Sequence, residues 1–201
     1  MLKTFYVDNF KTHINTTYEV KPVNLLIGMN NSGKTNLCQA LRFVGLTSLR
    51  PLSEAARSAA VEEWTLANAY LGKSTIDFRV EAELSWQRET CSFTYELAVS
   101  LLDVAAARET GKRLAVHREV LTVSTSGFAK ALIKNDQGNV QLLHETHASQ
   151  GKESYVSTKA PVDATMLSRL YDLQDNPRAN LFKRYLGSWI YYDLGSRRKV
   201  D

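Results

Sequence analysis

Hydrophobic and polar positions change period several times along this chain, and each change marks an element. Leu2 to Val7 and Ile14 to Val20 read as short strands, and the apolar run Val23-Asn24-Leu25-Leu26-Ile27 reads as a buried one. From Thr35 to Val44 the apolar residues Leu37, Ala40, Leu41 and Val44 fall at helical spacing. Pro51 then breaks the chain. Ser53 can cap a new helix, and the Ala- and Glu-rich composition between Leu49 and Tyr70 predicts a helix or a mobile excursion.

From Ser74 to His144 the period becomes two. Ile76, Phe78, Val80, Ala82, Leu84 and Trp86 alternate with polar partners, as do Phe93, Tyr95, Leu97, Val99 and Leu101. The short connection Gln87-Arg88-Glu89-Thr90 makes these two runs a hairpin. Val116 to Ser124 adds a strand, and Ser126-Gly127 and Asp136-Gln137-Gly138-Asn139 mark turns. An antiparallel region of about five strands, each with one polar face, is expected. The Ser-, Lys- and Gly-rich stretch Ser149 to Lys159 reads as a mobile loop. Beyond Pro161, Asp163 can cap a helix over Ala164 to Tyr171, and Asn176-Pro177 is a cap and first turn for Arg178 to Leu186. Ser188 to Leu194 closes with a strand-like run. No internal repeat or low-complexity segment interrupts this order.

The junction between the run Val23 to Ile27 and the helix that begins near Thr35 carries the chemistry. Gly28-Met29-Asn30-Asn31-Ser32-Gly33-Lys34-Thr35 fits the phosphate-binding pattern G-x-x-x-x-G-K-S/T. A strand turning through glycines into a helix aims successive backbone N–H groups at one point, backed by the positive end of the helix dipole. In that arrangement Lys34 reaches the β- and γ-phosphates of a nucleoside triphosphate, and the Thr35 hydroxyl ligates Mg²⁺. A tight glycine turn without a ligand is the alternative, and the correct flanks on both sides weigh against it.

Composition changes this picture little. The 201 residues suffice for one large domain or one and a half small ones, and 44% hydrophobic with 23% charged residues is ordinary for a globular protein. A net charge of +4 allows a nucleic-acid partner without requiring one. Two distant cysteines, Cys38 and Cys91, suggest neither a disulfide framework nor a zinc site. Met1 to Asp8 lacks the apolar core of a secretory leader, and no apolar stretch approaches membrane-spanning length. The cytoplasm is the expected location, with no membrane partner.

The segment Val7-Asp8-Asn9-Phe10-Lys11-Thr12-His13, with Asn24 to Leu41 after a short gap, resembles the start of the ABC-type ATPase heads of RecF, SMC and overcoming-lysogenization-defect (OLD) proteins. In that family an Asn-Phe-Lys/Arg segment precedes G-x-N-x-S-G-K-S/T-N-L. Asn31 stands where RecF and SMC proteins carry glycine; asparagine there is more typical of OLD-like and related defence ATPases. The resemblance is strong over residues 1 to 46 and weak beyond. It implies an α/β fold, the P-loop NTPase N-terminal lobe with an antiparallel β-sheet region and a few helices. Residues 1–201 would then be the N-terminal part of one head domain: 1–48 strands, phosphate loop and first helix; 49–73 the excursion; 74–147 the β region; 160–201 helices and closing strand. It also implies that Asn9 to Thr12 lie beside adenine and ribose, with Lys11 and Thr12 joining Gly28, Asn30, Asn31, Ser32, Gly33, Lys34, Thr35 and Asn36 in holding ATP. Phe10 reads instead as a core anchor.

Several parts of a hydrolytic centre are missing. Hydrolysis needs an Asp for Mg²⁺ and an adjacent Glu for the attacking water at the end of a buried strand. The one run ending in an acid is Trp189-Ile190-Tyr191-Tyr192-Asp193, and Leu194 stands next where the Glu belongs. Ser124-Thr125-Ser126-Gly127 only superficially resembles an L-S-G-G signature and reads as a hairpin turn. Gln174 comes after a predicted helix and reads as a surface residue rather than a sensor of Mg²⁺ and water. His144-Glu145-Thr146-His147 is not H-E-x-x-H, and period two puts its imidazoles on opposite faces. Arg197-Arg198-Lys199 reads as a solvated basic tag.

Two functions are compatible with these residues. In the first, a second lobe in the same or a separate chain supplies signature, Asp and Glu. Two heads then close on ATP as a nucleotide-dependent homodimer, gating DNA or a nuclease in repair or phage defence, and this chain alone turns over almost nothing. In the second, the chain never hydrolyses and uses ATP occupancy to expose a protein-binding surface. A self-contained kinase or GTPase is disfavoured by the lack of N-K-x-D and of a second acidic motif.

Overall fold

A computed structural model describes residues 1–145, 154–171 and 174–191. Its centre is one eight-stranded, wholly antiparallel sheet with helices against one face. The strands are β1 (Leu2–Asp8), β2 (Thr16–Glu19), β3 (Thr75–Trp86), β4 (Glu89–Leu101), β5 (Leu114–Ser124), β6 (Ala129–Asp136), β7 (Asn139–Leu143) and β8 (Tyr155–Lys159), in the order β2-β1-β3-β4-β5-β6-β7-β8. Among the described residues the α-helices are α1 (Lys34–Thr47), α2 (Leu52–Ser58), α3 (Val104–Thr110), α4 (Met166–Arg169) and α5 (Pro177–Gly187). The fold is mixed α/β, as expected, with the period-two region supplying β3 to β7.

Alternation decides which face is buried. Ile76, Phe78, Val80 and Ala82 of β3 and Cys91, Phe93, Tyr95, Leu97 and Val99 of β4 point into the core. Their polar neighbours line the other face, where Glu96 bridges Arg79 and Arg118 at 3.1 Å each. On the covered face, α1 contributes Leu37, Ala40, Phe43 and Val44, and Phe78 packs against Phe10 and Phe43 with ring centroids 5.7 Å apart in both pairs. Each such fully buried side chain stabilises the fold by about 1.5–3 kcal/mol. This packing fixes α1, and with it one side of the loop from Gly28 to Gly33.

Two buried carboxylates from the sheet side anchor the last helices. Glu119 on β5 accepts the amides of Met166 (2.6 Å) and Leu167 (2.9 Å) at the start of α4, together with the Tyr95 hydroxyl (3.1 Å) and Asn135 Nδ2 (3.4 Å). Glu145 accepts the amides of Arg178 (3.0 Å) and Ala179 (2.9 Å) at the start of α5. Burial pushes both carboxyls above their ordinary range, and these hydrogen bonds work against that rise.

The structure departs from the sequence pattern at several points. Val23 to Ile27 is not a buried strand: Val23, Leu25 and Ile27 are 87%, 81% and 84% exposed, and no strand is assigned there. A run apolar on both faces needs a strand on each side and cover above and below. Among the described residues the antiparallel sheet is covered on one face only, and no strand pairs with this run. Tyr155 to Lys159 is strand rather than loop, because β7 takes it as an antiparallel partner; 149–153 lie outside the described residues. Asp163 caps no helix. It pairs with Lys112 at 2.7 Å, while Thr165 accepts the Ser168 amide and α4 is correspondingly short. Ser53 lies inside α2, whose N-cap is Pro51. In the closing run Ser188 to Leu194, Trp189 and Ile190 continue from α5 without forming a strand, Trp189 meeting Tyr185 edge-on at 5.8 Å; 192–201 lie outside the described residues. Helix α3 was not legible in a period-two region, although Asp103 accepts the Ala106 amide at its start and Gly111 (φ 67°) ends it.

Candidate nucleotide site

The loop from Gly28 to Gly33 closes through backbone conformations that few residues adopt. Gly33 has φ 92° and is the N-cap of α1, and Asn31 has φ 66°. Outside glycine, asparagine is the residue that enters this left-handed region at least cost, which explains why glycine and asparagine are the two residues suited to this position. A Cβ on Gly28 would come within 2.7 Å of Ser32 Oγ, so the two ends of the loop touch. Across this curl, Lys34 Nζ donates to the carbonyls of Gly28 and Met29 at 2.7 Å each and to Ser32 Oγ at 3.1 Å. Three acceptors match the three protons of the ammonium group.

Helix α1 begins without a plug. Gly33 offers no side-chain cap, and the first turn of α1 contains no acidic residue. The first intrahelical bond runs from the Leu37 amide to the Gly33 carbonyl, so the Lys34, Thr35 and Asn36 amides precede the helical ladder. At 14 residues α1 carries a full macrodipole, whose positive end lies here. Thr12, Asn30, Asn31, Ser32, Gly33, Lys34, Thr35 and Asn36 line a cleft of about 470 Å³ over this end.

A turn from the other end of the first hairpin holds α1 in place. Phe10 and His13 exchange backbone hydrogen bonds (3.1 and 2.8 Å), and Asn68 Nδ2 donates to the Lys11 carbonyl at 2.6 Å. The three residues of this turn then meet three residues of the helix start in order. Lys11 Nζ donates to Gln39 Oε1 (2.8 Å), Asn36 Nδ2 donates to Thr12 Oγ1 (2.9 Å), and His13 Nε2 lies 3.1 Å from the Gly33 carbonyl. Positions 33, 36 and 39 are three apart and so share one helix face.

Of the residues expected to hold ATP, the fold gathers Thr12, Asn30, Asn31, Ser32, Gly33, Lys34, Thr35 and Asn36 into one cleft, with Gly28 behind Ser32. Lys11 is not among the residues that line it. Its ammonium is engaged by Gln39, and burial lowers its pKa, opposed by Glu62. Asn9 is fully buried and structural, donating to the Lys73 and Thr75 carbonyls at 3.0 and 2.7 Å. Phe10 is the expected core anchor. His13, Gln39 and Asn68 were missed; the signal for Gln39 was its spacing of three from Asn36 and six from Gly33.

Among the described residues no group of three or more His, Cys, Asp or Glu is placed to hold a metal ion. Mg²⁺ needs less than that, because it binds through one or two protein oxygens plus phosphate oxygens and water. The exposed Thr35 hydroxyl at the cleft suits that role. Ser124 ends β5, and Thr125 to Gly127 lie in its connection to the antiparallel β6, as expected of a hairpin turn. Gln174 is exposed in a turn, and His144 Nδ1 lies 3.8 Å from Asp175 Oδ2. Thr146, His147, Asp193 and Arg197 to Lys199 lie outside the described residues.

A family model matches the part of the chain that builds this cleft. The family model of the AAA ATPase domain matches residues 1–85, less than half of the chain. The match spans β1, β2, the phosphate loop, α1, α2 and nearly all of β3. It supports an AAA/ABC-type ATPase N-terminal region, and with it ATP binding and ATPase chemistry. No curated protein matches the chain. Among the described residues no helix is long and apolar enough to cross a membrane.

Proposed function

We propose that this chain is the N-terminal lobe of an ATPase head of the RecF, SMC and OLD-like type. It takes Mg²⁺ and ATP in the cleft over α1 and works in a DNA-related process. The observation that carries this reading is the uncapped, acid-free start of α1, held against a loop whose lysine already spans it. There the amides of 34–36 and the Lys34 ammonium can hold the phosphates, and the Thr35 hydroxyl can hold Mg²⁺, which would neutralise phosphate charge. The hydrolytic Asp and Glu and the signature belong, on this reading, to a second lobe in the same or a separate chain. The exposed run Val23 to Ile27 supports that view. Its apolar faces, and a backbone with no strand partner among the described residues, suit a strand of a parallel sheet whose neighbours come from the second lobe. Two such heads closing on ATP would form a nucleotide-dependent dimer that controls DNA or a nuclease, in repair or phage defence.

The test is calorimetric titration of the chain with Mg-ATP. Lys34→Ala removes charge-assisted hydrogen bonds to phosphate, each worth about 1.5–3 kcal/mol. The variant is expected to lose binding by at least about thirtyfold. Unchanged affinity would sink the reading, and robust turnover by the chain alone, dependent on Lys34, would overturn the need for a second lobe.

A further inference from the structure

We infer that His13 is a positioning residue for the phosphate loop, aiming the peptide between Gly33 and Lys34 so that its N–H faces the nucleotide. The inference rests on the ATP-binding reading of the cleft and adds to it a residue outside the G-x-x-x-x-G-K-S/T pattern.

The His13 ring is held at both nitrogens. It is 6% exposed, with Nε2 at 3.1 Å from the Gly33 carbonyl and Nδ1 at 3.2 Å from the Tyr18 hydroxyl. A carbonyl only accepts, so Nε2 carries a proton. In the neutral ring Nδ1 then accepts from Tyr18. The Tyr18 ring stands edge-on to the imidazole, 5.9 Å away at 79°. The imidazole therefore has little freedom: it is fixed on one side by an edge strand and on the other by the loop.

Peptide geometry carries this constraint into the cleft. The Gly33 carbonyl and the Lys34 N–H belong to one planar, trans unit and point in opposite directions. Pinning the carbonyl towards His13 and the helix therefore sends the Lys34 N–H the other way, to the side of the cleft. The Gly33 carbonyl has two lone pairs and uses both, one for the Leu37 amide at 2.9 Å and one for His13. Without the imidazole, only the first turn of the helix holds this peptide, and Gly33, in a left-handed conformation with no side chain, is the easiest place for it to rotate. The ring also packs on Gly33: a Cβ there would lie 3.3 and 3.4 Å from His13 Cε1 and Nε2.

Two replacements separate the contacts of the ring. In His13→Gln the side-chain amide can reach the place of Nε2 and donate to the Gly33 carbonyl. In His13→Asn it reaches only the place of Nδ1 and can serve only Tyr18. The full chain, both variants and Lys34→Ala are titrated with Mg-ATP, and thermal unfolding is followed in parallel. His13→Asn is expected to weaken ATP binding about tenfold, the loss of one hydrogen bond's worth of orientation. His13→Gln is expected to stay within about threefold of wild type, with both variants melting within a few degrees of it. Wild-type affinity in His13→Asn overturns the inference. So does equal weakening in both variants, or weakening that tracks loss of thermal stability, since either marks a merely structural residue. If wild type binds no ATP, or Lys34→Ala binds as wild type does, the reading of the cleft fails first and the inference falls with it.

Discussion

Replacing Gly33 by alanine perturbs the site at its tightest point, and the atoms around it set the size of the effect. The first cost is conformational. Gly33 has φ 92°, beyond the left-handed basin, and an L residue in that basin already costs about 1–2 kcal/mol. The second is steric. The new Cβ would stand 2.9 Å from Thr12 Oγ1 with the His13 ring behind it, and neither can yield freely. Thr12 is the acceptor for Asn36 Nδ2, and His13 is held from both sides. Breaking the Thr12–Asn36 bond to make room adds roughly 0.5–1.5 kcal/mol. The present loop conformation is thus disfavoured by about 1.5–3.5 kcal/mol relative to a relaxed one. ATP affinity falls in proportion to the competent fraction, roughly 10- to 400-fold. Global stability suffers less, because the buried face of α1 lies further along, at Leu37, Ala40, Phe43 and Val44. Gly111→Ala is the control: φ is 67° there, but no atom lies within 4 Å of the added Cβ. It should cost about 1–2 kcal/mol of stability and leave affinity untouched. Calorimetric titration with Mg-ATP, paired with thermal unfolding, reads both effects. Binding by Gly33→Ala within threefold of wild type would refute the steric reasoning.

Asn31→Gly should bind ATP within about threefold of wild type, whereas Asn31→Val, β-branched at φ 66°, should weaken it at least tenfold; equal affinities would show that the loop does not need this conformation. Glu119→Ala leaves the amide of Leu167 and the Tyr95 hydroxyl buried without their acceptor and should destabilise the chain by about 3–5 kcal/mol in urea titration; a change below about 1 kcal/mol would contradict the anchoring role. Burial raises the Glu119 carboxyl above its unfolded value, so between those two values the folded state binds more protons than the unfolded one. Its contribution to stability is therefore greatest below about pH 4.5 and declines as pH rises through the raised value. Glu119→Gln should flatten that part of the urea midpoint profile, and an unaltered slope would assign it to other groups.

What the sequence made legible is what local rules control. Alternation in Ile76 to Trp86 and Phe93 to Leu101 states which face is buried without reference to any other part of the chain, and both strands appear as read. The turn into α1 was legible because Gly28 and Gly33, followed by apolar residues at helical spacing, leave few other local structures. The ladder from Lys11–His13 to Gln39, Asn36 and Gly33 was not, because its two halves are 20 to 28 residues apart and neither looks unusual alone. Lys11 illustrates the difference. The family resemblance implied a nucleotide contact for it, and only the fold places Gln39 within its reach. Glu119, in β5, and Glu145, just beyond β7, were equally silent, since a glutamate at either place looks like a solvated position until a helix begins over it.

The helix starts of this chain divide by what occupies them. The free amides of α4 and α5 are met by buried glutamates and those of α3 by Asp103; α2, without a side-chain cap, keeps Glu54 in its first turn, while α1 has neither a carboxylate nor a side-chain cap. A carboxylate there would satisfy the same amides and repel a triphosphate, so its lack keeps the site open to an external anion. The two flanks of the loop are held unequally. Its exit is clamped by the ladder and by the packing of α1, whereas its entrance, Val23 to Ile27, lies exposed with no strand partner among the described residues. On the proposed reading, a second lobe that pairs with this run would fix the entrance of a loop whose exit is already fixed, and so tighten ATP binding. Linkage then requires the reverse with equal strength: ATP in the cleft must tighten the hold on that lobe by the same factor. Nucleotide occupancy would in this way reach an interface that the phosphates never touch.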